Sequence, residues 1–174
     1  GYQIVTLSEQ GIRKIANEQG DSYEQNAQMK ATTYAKLSQL ITLADDSGLE
    51  VDALHGKPGI YSARFAGEDA TDADRVTKLL AMMDGIPWDK RTAKFKCVIA
   101  IATPKGELKL CQGKCHGIIS LEVSGKNGFG YDPIFYLPEL DKTMAELPLE
   151  LKNQLSHRGQ ATRKARTILK QLHS

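Results

Sequence analysis

Asp45 and Asp46 are adjacent carboxylates that follow an apolar run, Leu40, Ile41, Leu43 and Ala44, and lead into Ser47 and Gly48. The run reads as a buried strand, and two carboxylates beside it are costly unless solvated, paired or bound to a cation. Successive strand side chains point to opposite faces, so one of the two can face a cleft while the other looks away. Gly48 permits a tight turn and the close approach of a ligand to the backbone. A hard divalent cation such as Mg²⁺ takes oxygen ligands and is held by one or two carboxylates together with phosphates. A plainer alternative stands beside this one. Asp-Asp-Ser-Gly is also the composition of a polar turn, with Leu49 to Leu54 as the next strand.

The elements that would position these residues follow from spacing. Tyr2 to Leu7 alternates as a strand does, and Ser8 to Gly20, which contains Glu18, carries no period. Ser22 with Gln25 three residues on forms a capping box, which starts a helix to about Gln39. Tyr23, Ala27, Tyr34, Leu37 and Ile41 form its apolar stripe, and Lys30 falls within that stripe, where it either snorkels to solvent or meets an anion. Thr71 caps a second helix with Val76, Leu79, Leu80 and Met83 inward. Arg64, just before it, is either a phosphate contact or a surface ion pair. Thr92–Thr103 and Glu107 to about Ile119 read as two long strands joined by Pro104-Lys105-Gly106. The glycine-rich stretch 125–133 holds Phe129, Gly130, Tyr131 and Asp132. Its main-chain N–H groups beside an aromatic ring suit a planar base, although a tight turn with both rings in the core fits as well. Thr143 and Glu146 begin a helical turn. Pro148 opens a helix carrying Lys152, which ends near Ser156-His157-Arg158-Gly159, and a last helix runs over 160–172.

Composition narrows the classes. The chain has 174 residues, 41% of them hydrophobic, enough for one globular domain with a core of its own. A net charge of +2 demands neither a nucleic acid nor a membrane as partner. Arg163, Lys164, Arg166 and Lys170 make the last helix basic on its outer face, without the interleaved aromatics of an RNA-binding surface. No apolar run reaches the ~18 residues of a membrane span. Cys97, Cys111 and Cys115 are an odd count in strand-like sequence and read as reduced thiols of a cytoplasmic protein. Cys111 and Cys115 have no second ligand pair that would make them a zinc site.

The run from Ala44 to Asp72, ADDSGLEVDALHGKPGIYSARFAGEDATD, resembles the central motif of the inosine triphosphate pyrophosphatase family. GFGYDPIF at 128–135 and SHRGQA at 156–161 are similar to two further motifs in the same order. The resemblance implies an α/β (α+β) fold, with an elongated mixed sheet flanked by helices and a nucleotide cleft between two lobes. It implies hydrolysis of deaminated purine nucleoside triphosphates (ITP, dITP, XTP) to the monophosphate and pyrophosphate, with Mg²⁺ and usually as a homodimer. It assigns Asp46 as general base and metal-proximal carboxylate, Glu18 as metal ligand, and Ser47 and Lys30 as substrate contacts. Phe129, Gly130, Tyr131, Asp132, Lys152, His157 and Arg158 form the base pocket. Family members also carry an N-terminal strand and a Thr-x-x-Asn-x-x-Lys phosphate loop that this sequence does not show before Tyr2. A molecule lacking them is expected to bind triphosphate weakly. The alternatives are a nucleotide-binding domain without activity, a related pyrophosphatase preferring pyrimidines, and a basic RNA-associated module.

Overall fold

The computed structural model describes residues 2–16 and 19–172. The element order is α1 (Tyr23–Ser38), β1 (Thr42–Val51), α2 (Asp72–Met82), β2 (Thr92–Ala102), β3 (Leu108–Ile119), β4 (Phe135–Leu137), β5 (Lys142–Thr143), α3 (Leu149–Leu155) and α4 (His157–Gln171). The strands form a five-stranded sheet in chain order, β1-β2-β3-β4-β5, and the β3–β4 and β4–β5 pairs are antiparallel. The chain divides into two compact units. One comprises residues 1–46, 98–111 and 162–174, the other 47–97 and 112–161.

Helices start at the caps the sequence predicts, but the box expected at Ser22 is only half closed, because the Gln25 side chain reaches the Asp21 N–H instead of that of Ser22. The Ser22 hydroxyl accepts from the Gln25 N–H at 3.1 Å, while the Gln25 amide oxygen accepts from the Asp21 N–H at 2.8 Å. Thr71 and Asp74 close a full capping box on α2, and Thr143 and Glu146 do the same for the short turn at 144–146. Pro148 stands at the N-cap of α3, one residue earlier than expected.

Four expectations are corrected. Residues 2–6 form no strand, because an alternating pattern needs a partner ladder and no described strand pairs with them. Ile4 is accordingly 90% exposed. Second, Asp45-Asp46-Ser47-Gly48 is not a turn, since β1 runs straight through it and Gly48 carries no positive φ. The buried part of β1 is its far end, Leu49 and Val51, whereas Leu40 and Leu43 are exposed. Third, of its predicted stripe α1 buries Tyr23 and Ala27, but the buried face continues through Asn26, Ala31 and Ala35 and not through Tyr34 and Leu37. At about 100° per residue Leu37 lies some 200° from Ala35, and it faces outward. Fourth, α4 begins at His157, so His157 and Arg158 occupy a helical first turn and not a connector.

In the second unit the core joins Leu49, Val51, Val76, Leu79, Met83, Phe95, Ile119, Ile134, Phe135, Met144 and Leu147. Arg91 is buried there and donates to the carbonyls of Met83, Ile86, Ile119 and Ser120. It ties the end of α2 to the end of β3. In the first unit β2 is buried on both faces from Val98 to Ala102.

Candidate active site

Asp46 is held from α1. Its Oδ1 lies 3.6 Å from Lys30 Nζ, and its Oδ2 accepts from Asn26 Nδ2 at 3.2 Å. Asn26 and Lys30 are one helical turn apart, so a single helix face meets the carboxylate. The Lys30 side chain is 17% exposed and that of Asp46 14%, so the lysine is a half-buried partner and has not snorkelled away. Asp45 follows the strand alternation to the opposite face. Glu18 lies outside the described residues.

A second cluster surrounds Phe129. Its ring is 59% exposed, with Lys152 Nζ 4.6 Å and the Arg158 guanidinium 5.3 Å from its centroid. Lys152 also pairs with Asp132, whose Oδ2 accepts the Phe129 N–H at 3.0 Å. Both partners are largely buried, with side-chain exposures of 12% and 5%. Gly128 is what lets the loop close over this pair. At φ +75° its added Cβ would stand 2.0 Å from Asp132 Oδ2. Arg158 reaches on to donate to the Ser47 Oγ at 2.9 Å.

The structure separates the two aromatic rings that the sequence left undecided. Phe129 is presented to solvent. Tyr131 is core, 4% exposed, with its hydroxyl donating to the Ser62 carbonyl at 2.8 Å, and burial raises its phenol well above the ordinary value. His157 is also buried, its ring stacked on Phe95 at 4.6 Å and 13°. The expectation of free main-chain donors is corrected as well. The N–H of Gly130 donates to Asp72 at 2.7 Å and that of Asp132 to the Phe129 carbonyl at 3.2 Å, so with Phe129 three of these donors are engaged. The Arg64 guanidinium lies 5.2 Å over the Tyr61 ring and makes no ion pair among the described residues.

Two glycines fix where α4 begins. A Cβ on Gly113 would meet the His157 carbonyl at 2.0 Å, and one on Gly159 would meet the Asn153 carbonyl at 1.9 Å. Ser156 Oγ accepts the Gly159 N–H at 3.1 Å and starts the helix. Sequence reasoning missed the parts played here by Asn26, Asp72, Phe95 and Gly113; of these, Asn26 carried a signal as a polar residue one turn before Lys30.

No group of three or more His, Cys, Asp or Glu side chains is arranged for a metal among the described residues. Asp45 and Asp46 offer oxygen donors, the donor chemistry of a hard cation that completes its shell with phosphate and water.

The fold and these two clusters define an α/β protein equipped to hold a carboxylate beside a lysine and an amide, and to present an aromatic ring flanked by two cations. The chain belongs to the Ham1 family, whose model matches residues 1–168. It is 51% identical over 174 residues to a dITP/XTP pyrophosphatase of Desulforamulus reducens, covering 99% of this chain and 86% of that one. It is 44% identical to the dITP/XTP pyrophosphatase of Bacillus subtilis, covering 97% and 85%. The Ham1 protein structure from Staphylococcus aureus superposes with a TM-score of 0.91 at 44% identity, covering 97% of this chain and 87% of that one.

Proposed function

We propose that this protein is a nucleoside triphosphate pyrophosphatase that hydrolyses deaminated purine nucleotides such as dITP, ITP and XTP to the monophosphate and pyrophosphate. The observation that carries the proposal is the clamped carboxylate of Asp46, held by Lys30 and Asn26. Its setting is a chain similar along nearly its whole length to enzymes named for dITP and XTP.

Asp46 is assigned the proton of the attacking water, the water adding at the α-phosphorus as pyrophosphate departs. Lys30 and Ser47 are assigned to the phosphates, and Lys30 exchanges part of its attraction to Asp46 for the incoming charge. A magnesium ion held by Asp46 and Glu18, with Asp45 in support, would neutralise phosphate charge. The base is assigned to the exposed face of Phe129. With the N–H groups of Phe129, Gly130 and Asp132 engaged, the 6-oxo group is assigned to Lys152 and Arg158, the two cations beside the Phe129 ring. Adenine presents a 6-amino donor there, so donor faces donor, the kind of mismatch that discriminates by roughly 10⁴. Gly130, Tyr131, Asp132 and His157 hold the pocket's shape. A homodimer is proposed as the working form.

The test is product identity. With Mg²⁺, dITP should give dIMP and pyrophosphate by ³¹P NMR, and chelation with EDTA should stop it. Release of orthophosphate, or preferred turnover of pyrimidine triphosphates, would refute the assignment.

A further inference from the structure

We infer that Asn26 is a positioning residue for Asp46, an amide that fixes the carboxylate's rotamer and joins it to the chain before α1. The inference rests on the function proposed above. Asn26 is 3% exposed, and a buried amide must satisfy both its ends. Its Oδ1 accepts the Gly20 N–H at 2.8 Å, and its Nδ2 donates to Asp46 Oδ2 at 3.2 Å. The Gly20 N–H is donor only, so it dictates which way the amide points. The NH₂ group is thereby aimed at the carboxylate, and no flipped amide satisfies both contacts.

The approach is built into the backbone. A Cβ on Gly20 would stand 2.8 Å from Asn26 Oδ1 and 2.7 Å from Gln25 Cβ, so the chain reaches the amide only through a glycine. Asn26 and Lys30 then address the two oxygens of one carboxylate from successive turns of α1. Lys30 carries a charge for which incoming phosphate can compete with Asp46. Asn26 is neutral, buried and anchored at its far end, so it holds Asp46 when Lys30 leaves. A neutral amide donor orients a base without adding a second cation beside it.

Asn26→Asp keeps volume and the acceptor for Gly20 while replacing the donor to Asp46 by a second carboxylate that repels it. Asn26→Ala deletes both. Misplacing a reacting group by about 1 Å costs on the order of 10²-fold. Both variants should therefore lose at least about tenfold in kcat on dITP, with KM changed by less than about threefold. A second readout needs no turnover. In metal-free protein the exchange variant Asn26→Asp/Asp46→Asn restores an amide–carboxylate pair. Its Tm should lie above the sum of the two single changes. Wild-type kcat in Asn26→Asp, or strictly additive Tm changes, would overturn the inference. Failure of wild-type protein to hydrolyse dITP would instead refute the proposed function, and the Tm comparison would still test the contact.

Discussion

Lys152→Met removes the cation that faces Asp132 while keeping an unbranched apolar stem in its place. The pair is largely buried, 12% and 5% exposed, and taking one partner from a buried pair costs about 3–5 kcal/mol. The Phe129 N–H at 3.0 Å still serves the carboxylate, which puts the expectation at the low end, about 3 kcal/mol. The contact of Lys152 with the exposed Phe129 ring adds at most about 1 kcal/mol. At roughly 2–4 °C per kcal/mol for a chain of this length, Tm should fall by about 6–12 °C. Adding Asp132→Asn removes the stranded charge, and the double variant should recover most of that loss. Thermal melts of metal-free, nucleotide-free protein read both effects. A single variant within about 2 °C of wild type, or a double variant no better than the single, would refute the buried-pair argument.

Three further outcomes follow. Arg158→Ala and His157→Ala should lower the ratio of kcat/KM for dITP over dATP more than they lower metal-dependent turnover itself; an unchanged ratio counts against a base-reading pocket. Gly113→Ala places a methyl group 2.0 Å from the His157 carbonyl, where backbone must move, and should cost about 1–3 kcal/mol or more, read as Tm. Glu146 is held below the usual carboxylate range chiefly by the Thr143 N–H, and Asp74 chiefly by the Thr71 hydroxyl. A depressed folded pKa contributes stability above the unfolded value and loses it as pH falls through the folded one. Tm should therefore decline from about pH 5 downward, and Glu146→Gln should flatten part of that decline. An identical pH profile in the variant would contradict it.

What the sequence made legible was local. Ser22, Thr71 and Thr143 announced helix starts because capping is a contact among near neighbours. The β2–β3 hairpin was legible from its alternation and its Pro-Lys-Gly turn. What stayed hidden needed distant partners. Tyr2 to Leu7 has a strand's alternation, yet alternation records a face and not a neighbour. Gly48 in a row of polar residues looks like a turn, yet β1 passes through it extended. Phe129 and Tyr131 are chemically alike in sequence. Only the Ser62 carbonyl, reached from 69 residues away, sends the second into the core. The engagement of the Gly130 N–H by Asp72 is equally long in range.

The most direct test of the account is kcat/KM across dITP, XTP, dATP, dGTP and dCTP with Mg²⁺, for wild type and Asp46→Asn. The account predicts that dITP and XTP lead, with dATP poorer by up to roughly 10⁴. It also predicts that Asp46→Asn, folded by its melt, turns over none of them. Equal rates on dITP and dATP, or wild-type turnover by Asp46→Asn, would contradict it.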